Sequence, residues 1–258
     1  MAKPKPFRLN TKSSFRFTFA IMSSKGGVGK STLTSLLASH LTRHGWKVGI
    51  LDADILGPSI GGMFGYEDSL YSEDGAIIPA STKEDIAFVS SQLLLGKKDE
   101  PMVYRSPIVL DLIRQFYEDT RWGKRDVLLI DLPPGTGDTP LTILQQIPLE
   151  GIIMVTTPQE IVQDIVSKGI NMLKLVPAPL VGMIENYAYY QCDQCGKKHP
   201  LFGEGHTQHL IEKYQLRLLA SLPLDPHLPK HLDSGKIESF YVEPLDQWVQ
   251  TWIKELTT

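Results

Sequence analysis

The stretch Ser24-Lys-Gly-Gly-Val-Gly-Lys-Ser-Thr32 holds the groups best suited to polyphosphate chemistry. Gly26, Gly27 and Gly29, with Val28 among them, let the backbone approach anionic oxygens with no Cβ in the way. Lys30 is placed to reach the β and γ phosphates of a nucleotide, and the Ser31 hydroxyl to ligate Mg²⁺. An apolar run from Phe17 to Met22 precedes the stretch, and Leu33, Leu36, Leu37 and Leu41 recur at helical spacing between about Lys30 and His44. That is the strand, loop, helix order of a P-loop, in which N–H groups at a helix N-terminus point at phosphate oxygens. The general pattern asks for glycine at position 24, where this chain has Ser24 followed by Lys25. The match is therefore to the deviant form KGGxGK[ST], with Lys25 as a second lysine near the phosphates. The competing reading is a glycine-rich turn capped by a helix.

Carboxylates stand at the ends of two apolar runs. Lys47 to Leu51 ends in Asp52-Ala-Asp54, and Asp126-Val-Leu-Leu-Ile ends in Asp131. A buried parallel strand that ends in an acid presents it at the C-terminal edge of a sheet, where α/β folds bind ligands. Asp52 and Asp54 share one face of an extended chain, so either can order a water near the phosphates; both also read as plain strand-end caps. Asp131 fits a Walker B carboxylate that holds Mg²⁺, often through water. The following Leu-Pro-Pro-Gly135-Thr-Gly137-Asp reads as a switch loop in which a backbone N–H near Gly135 senses the γ-phosphate. Asp138 and Thr139 serve either a direct role or the cap of the next helix.

Two further signals lie downstream. The apolar run Pro179 to Ile184 ends in Glu185-Asn186, and an amide at that edge can pair with both donor and acceptor of an adenine, or else cap a helix. Cys192 and Cys195, the chain's two cysteines, form a C-x-x-C. Two thiolates make one edge of a zinc or iron-sulfur site that needs about four ligands. His199, His206 and His209 could complete a zinc site in one chain, or two chains could each donate a pair across a two-fold axis. A redox dithiol and a chance pair are the remaining readings.

The elements that must carry these groups alternate strand-like and helix-like, which predicts an α/β domain with a mostly parallel central sheet and helices on both faces. Residues 17–258 read as a single three-layer α/β/α P-loop domain, and residues 1–16, with Lys3, Lys5, Arg8, Lys12 and Arg16 and no acid, as a solvated basic tail. Helical stripes are expected at Ile108, Leu112, Ile113 and Phe116, at Ile161, Ile165, Val166 and Ile170, and at Trp248, Trp252 and Ile253. At 258 residues, 42% apolar and 21% charged, the composition is that of a soluble globular protein. A net charge of −3 gives no electrostatic case for nucleic acid or an anionic membrane. No secretory segment or membrane-length apolar run is found, and two cysteines make no disulfide framework, so a reducing, cytoplasmic setting is expected.

With these residues in view, the chain resembles the Mrp-type iron-sulfur cluster carrier ATPases, deviant-Walker P-loop proteins related to the nitrogenase iron protein and to MinD and ParA. SKGGVGKST, DADILGPSI, DLPPGTGDTPLTILQQIPLEGIIMVTTPQEIV, KGINML, the CDQC loop with FGEG, and LPLDP carry the resemblance, from about Phe17 to Ile237. It implies that Lys25 reaches the nucleotide of a partner subunit and that the loop from Ser24 to Thr32, with Lys30, Ser31 and Thr32, holds phosphates and Mg²⁺. It further implies that Asp54 activates water, that Asp131 is a Mg²⁺-linked switch acid, that Asn186 reads adenine with Pro223 of LPLDP beside the nucleotide, and that Cys192 and Cys195 bind a cluster between two subunits. The function implied is an ATP-hydrolysing homodimer that bridges a [4Fe-4S] cluster, with Zn²⁺ as an alternative occupant in aerobic preparations. It takes clusters from scaffold proteins and delivers them to apo-proteins, with no nucleic-acid or membrane partner. The rivals are a MinD- or ParA-like positioning ATPase and a zinc-bridged dimeric targeting ATPase. His206-Thr207 departs from the glycine run that commonly follows FG in the group.

Overall fold

Four apolar runs form the centre of the sheet because each is buried on both faces. In the computed structural model, which describes residues 6–94, 106–159, 162–202 and 206–258, these are β1 (Ser14–Ser23), β2 (Val48–Asp52), β7 (Lys124–Asp131) and β8 (Gly151–Thr156). Alternate residues serve opposite cores, as period-two geometry requires. Phe19, Ile21, Val48, Ile50, Val127, Leu129, Ile153 and Val155 point to one side, and Ala20, Met22, Leu51, Leu128, Ile130, Ile152 and Met154 to the other.

The remaining strands are β3 (Tyr71–Glu73), β4 (Ala76–Ile78), β5 (Ala80–Ser81), β6 (Ala87–Val89), β9 (Leu180–Gln191), β10 (Lys198–Pro200) and β11 (Leu218–Pro223). Among the described residues the main sheet runs β10-β9-β8-β1-β7-β2-β6-β5, with β11 also on β9 and a separate β3-β4 hairpin. Pairing is parallel except where β10 meets β9 and β5 meets β6. Helices α1 (Lys30–Arg43) and α8 (Glu243–Thr257) cover the first core; α3 (Ser106–Glu118), α4 (Asp138–Gln146), α5 (Val162–Leu173) and α6 (His206–Tyr214) cover the second. Short helices α2 (Ile60–Met63) and α7 (Leu228–Asp233) lie in the connections. The layers are those expected of the α/β P-loop class.

Several expectations shift in detail. β1 begins at Ser14, inside the stretch read as a tail, and part of that stretch packs on the domain: Phe7 is buried and its N–H donates to the Gln146 carbonyl. Asn10 Nδ2 donates to the carbonyls of Glu118 and Thr120. One aromatic ring and these backbone bonds outweigh the basic composition. In α3 the buried stripe is Val109, Ile113, Phe116 and Tyr117, while Ile108 is 53% exposed, because i, i+4, i+7, i+8 is the face that meets the sheet. Arg105, Ile161 and residues 203–205 lie outside the described residues. Gly137, not Asp138 or Thr139, is the N-cap of α4, and Asp138 is the acid of its first turn.

Helix α8 is fixed to α1 by polar contacts as well as by Trp248 and Trp252. Asp246 accepts from His40 Nδ1 at 3.0 Å, His44 Nε2 at 2.9 Å, Gln250 Nε2 at 2.8 Å and Tyr241 Oη at 3.2 Å. The Val242 N–H donates to His40 Nε2 at 3.2 Å, which fixes His40 as the neutral Nδ1–H tautomer. Burial opposes the Asp246 charge, yet the His44, His40 and Gln250 donors together hold its carboxyl at about 2. Burial holds the His40 value below its ordinary 6.5.

Both shifts act in the same direction on stability. The unfolded chain takes up a proton at His40 below about pH 6.5 that the fold resists, and the Asp246 contribution, full above about 3.9, is lost as pH falls toward 2. Stability is therefore expected to decline steadily below pH 6.5, as read by thermal unfolding across a pH series. Asp246→Ala is expected to cost about 3 kcal/mol at neutral pH by stranding buried donors, or ~6–12 °C in Tm for a chain of this size. A loss under about 1 kcal/mol would show that the α1–α8 joint does not depend on this carboxylate.

Candidate functional site

The site forms where β1, β7 and β2 end side by side. Ile21 pairs with Asp131 and Asp52 pairs with Asp131, so the two acids are neighbours in register. The loop that leaves β1 turns with Gly27 and Gly29 at φ +76° and +79°, a region other residues rarely enter, and α1 starts at once with Lys30.

Asp131 is fully buried and draws three side chains of α1 onto itself. Lys30 Nζ is 2.8 Å from Oδ2, Ser31 Oγ donates to Oδ2 at 2.5 Å, and Thr34 Oγ1 donates to Oδ1 at 2.7 Å. Beside it, Asp52 accepts from Ser90 Oγ at 2.7 Å and from the Asp54 N–H at 3.2 Å. Burial pushes the Asp52 carboxyl up to about 7, and the adjacent Asp131 charge adds to the shift. Asp54 is raised too, again mainly by burial and against the pull of the Lys30 ammonium. Asp54 faces a cavity of about 210 Å³ lined by Gly26 to Thr32, Ser59, Met63 and Pro134.

The other expected residues fall around this cavity. Lys25 Nζ donates to Gln159 Oε1 of its own chain at 2.8 Å. The Gly135 N–H, expected to face a γ-phosphate, donates to the Ser23 carbonyl at 2.9 Å. Ser24 is buried against α5, where a Cβ on Gly169 would stand 2.3 Å from its Oγ, and among the described residues that oxygen has no hydrogen-bond partner. Asn186 Nδ2 donates to the Val28 carbonyl at 2.9 Å, leaving its second amide proton and Oδ1 for a ligand. Asn186 and Pro223 line a second cavity of about 300 Å³ with Leu36, Tyr189, Phe240 and Tyr241. A larger cavity of about 560 Å³, between the end of α1 and the α7 region, shares no residue with these motifs.

Cys192 and Cys195 sit in the turn from β9 to β10, where Cys195 is exposed and Cys192 partly buried. The Cys192 N–H donates to the Lys197 carbonyl at 3.0 Å and the Gly196 N–H to the Cys192 carbonyl at 2.8 Å. Both thiols are free. The N–H groups of Cys195 and Gln194 lower the Cys192 thiol, favouring the thiolate that binds metals. Among the described residues no three His, Cys, Asp or Glu side chains come together as a metal site, so neither His199 nor His209 completes one with the pair. The His206 side chain is outside the described set.

This combination of P-loop, acid-ended strands and cysteine pair agrees with comparison to known proteins. The model of the NUBPL iron-transfer P-loop NTPases, a ParA group, matches residues 14–257. The chain belongs to the Mrp/NUBPL-type iron-sulfur cluster carrier family of P-loop NTPases. It is 37% identical over 247 residues to the iron-sulfur cluster carrier protein of Clostridium perfringens, covering 92% of this chain and 87% of that one. The carrier of Methanocaldococcus jannaschii is 42% identical over 225 residues, covering 86% and 78%. The Aquifex aeolicus carrier is longer, and the chain spans 60% of it. Among solved structures, the nucleotide-binding protein of Archaeoglobus fulgidus in complex with ADP, with cobalt found, superimposes with a TM-score of 0.78 at 42% identity, covering 88% and 89%. The MinD ATPase of Pyrococcus furiosus shares the fold, with a TM-score of 0.63 at 20% identity and coverage of 93% and 100%.

In this carrier-family NTPase three residues at the site went unread in the sequence. Thr34 shares the Asp131 carboxylate, and its only signal is the spacing of three from Ser31, one helical turn along the same face. Ser90 reaches Asp52 from the end of β6, a strand too short to read with confidence of register. Tyr187 lies over Gly29 with a left-handed backbone that no pattern announces. A Cβ on Gly29 would stand 2.4 Å from Asn186 Nδ2 and 2.9 Å from Tyr187 Oη. Gly29→Ala is therefore expected to weaken nucleotide binding at least about tenfold, the equivalent of ~1.4 kcal/mol of backbone strain and lost contact. Titration with ADP and Mg²⁺ checks this, and wild-type affinity would mean that the loop does not need its left-handed turn.

Proposed function

We propose that two copies of this chain bind ATP in their P-loops, hydrolyse it slowly, and carry a [4Fe-4S] cluster between their C-x-x-C pairs for delivery to apo-proteins. The observation that carries the reading is the cysteine pair itself: Cys195 exposed and Cys192 partly so, the Cys192 thiol lowered, and, among the described residues, two donors short of a four-ligand site. An isologous second copy supplies the missing two. The carrier names of the relatives from Clostridium perfringens and Methanocaldococcus jannaschii support the cargo, and the Archaeoglobus fulgidus complex supports nucleotide in the cradle.

For the ATPase, Lys30 and the N–H groups of Gly26 to Thr32 hold phosphates, and Asn186 with Pro223 flanks the base in the adjoining cavity. Ser31 Oγ and Asp131 already lie together as hard oxygen donors and fit Mg²⁺, which supplies charge neutralisation on the phosphates. Asp54, at the edge of the same cavity, orders the attacking water. Lys25 leaves Gln159 for the nucleotide of the partner subunit. Cytoplasmic apo iron-sulfur proteins and scaffold proteins are the partners proposed, and no described helix is long and apolar enough to cross a membrane.

Anaerobic reconstitution of the wild type with iron and sulfide is expected to give one brown [4Fe-4S] chromophore per dimer, read by absorbance and metal analysis. Cys192→Ser with Cys195→Ser is expected to abolish the chromophore while ADP binding persists. Zinc at one per dimer with no chromophore would instead assign the pair to a structural zinc bridge. Lys30→Ala is expected to remove the effect of ATP on transfer of the cluster to an apo-protein; identical transfer in wild type and variant, with and without ATP, would uncouple the two activities.

A further inference from the structure

Strand β9 touches the nucleotide loop at one point and the cysteine turn at another. Asn186 and Tyr187 are consecutive, and in a regular strand their side chains would leave on opposite faces. Here both close on the Val28–Gly29 peptide: Asn186 Nδ2 donates to the Val28 carbonyl, and the Tyr187 hydroxyl, with Cζ behind it, lies over Gly29. A left-handed backbone at Tyr187, φ +57°, breaks the alternation. That conformation is uncommon for a bulky residue, and functional sites are where such outliers concentrate. The kink coincides with an irregular ladder. Between the pairs Ser221↔Glu185 and Pro223↔Tyr189, β9 advances by four residues while β11 advances by two. The extra length is the bulge that carries Asn186 and Tyr187 to the loop.

Beyond the bulge β9 is held on both sides. The Leu224 N–H donates to the Tyr189 carbonyl at 2.8 Å, Tyr190 pairs with His199, and Gln191 with Lys198. Cys192 follows directly, so roughly 15–20 Å of paired strand separates the kink from the first thiol. The same strand borders both cavities: Asn186, Tyr189 and Gln191 face that of Pro223, and Gln191 and Cys192 face another beside His227.

We propose that Tyr187 is a positioning residue that couples the P-loop to the cysteine pair: its ring and left-handed backbone hold the β9 bulge against Gly29, so that a phosphate seated in the loop resets the bulge and with it Cys192. The proposal rests on the cluster-carrier reading for what the thiols bind, but the coupling itself needs no iron. It is tested on full-length, metal-free protein by the alkylation rates of Cys192 and Cys195 with iodoacetamide, with and without saturating ADP and Mg²⁺.

In the wild type ADP is expected to change the alkylation rate about fivefold, the low end of ordinary coupling between two sites. Tyr187→Phe, which keeps ring and backbone but removes the hydroxyl nearest Gly29, is expected to weaken the response. Tyr187→Gly, which permits the backbone but removes the ring, is expected to lose it at saturating ADP. Tyr187→Asn, tolerant of the left-handed region, gives a second ring-free variant, and thermal unfolding with an ADP titration shows which of the two is folded and loaded. Wild-type thiols indifferent to ADP, or a folded, loaded ring-free variant that responds like the wild type, would overturn the proposal. A wild type that assembles no cluster yet shows the ADP-dependent alkylation would overturn the cargo assignment and leave the coupling standing.

Discussion

A carboxylate with no exposure to water must find its partners inside the protein, and Asp131 finds three on the first turns of one helix. Breaking such a buried pair by removing one member costs roughly 3–5 kcal/mol, because the other is left uncompensated. The three contacts from Lys30, Ser31 and Thr34 therefore fix the rotation of α1 about its axis and its height above the sheet. Since α1 also begins where the glycine loop ends, the loop inherits that placement. Asp52 next door shows the limit of the arrangement. Two carboxyls in register at the ends of adjacent buried strands cannot both ionise cheaply, and burial together with Asp131 raises Asp52 toward neutrality, with Ser90 as its hydrogen-bond donor.

The outer half of the sheet is organised differently. β8 and the first half of β9 continue the parallel core, but after Asn186 the strand leaves β8, runs half-buried past β11, and ends against the short, exposed β10. The protein thus carries one strand that is core at one end and an exposed hairpin arm at the other. Among the described residues this arm brings its thiols no further metal ligands. That geometry suits a site completed from outside the chain better than one completed within it.

How much of this was readable follows from the kind of signal each residue gives. Asp52 and Asp131 announce themselves because doubly buried parallel strands are unbroken apolar runs, and the residue that ends the run is visible. The glycine loop is read from residue types alone, since only glycine enters the conformations needed there. Thr34 and Ser90 are silent, because an ordinary hydroxyl has no pattern until the fold brings a buried acid beside it. The reach of β9 beyond Asn186 was hidden by Tyr187, whose left-handed backbone interrupts the period that defines a strand. Phe7 and Asn10 were hidden by their setting: a basic stretch reads as solvated, and a single ring with two carbonyl contacts leaves no periodic trace.

The groups proposed to meet nucleotide share a property that none of them shows alone. Lys30 is satisfied by Asp131, Lys25 by Gln159, the Gly135 N–H by the Ser23 carbonyl, and one amide proton of Asn186 by the Val28 carbonyl. At these four groups a nucleotide competes with existing partners, and binding there exchanges one set of hydrogen bonds for another. The net free energy of such an exchange is small compared with either set taken separately. A small difference between two satisfied states is what a two-state element requires, because only then does a ligand of ordinary differential affinity shift the population. Ser24 fits the same logic. Its buried hydroxyl is pressed against Gly169 with no partner among the described residues, a cost that a rearranged loop can relieve.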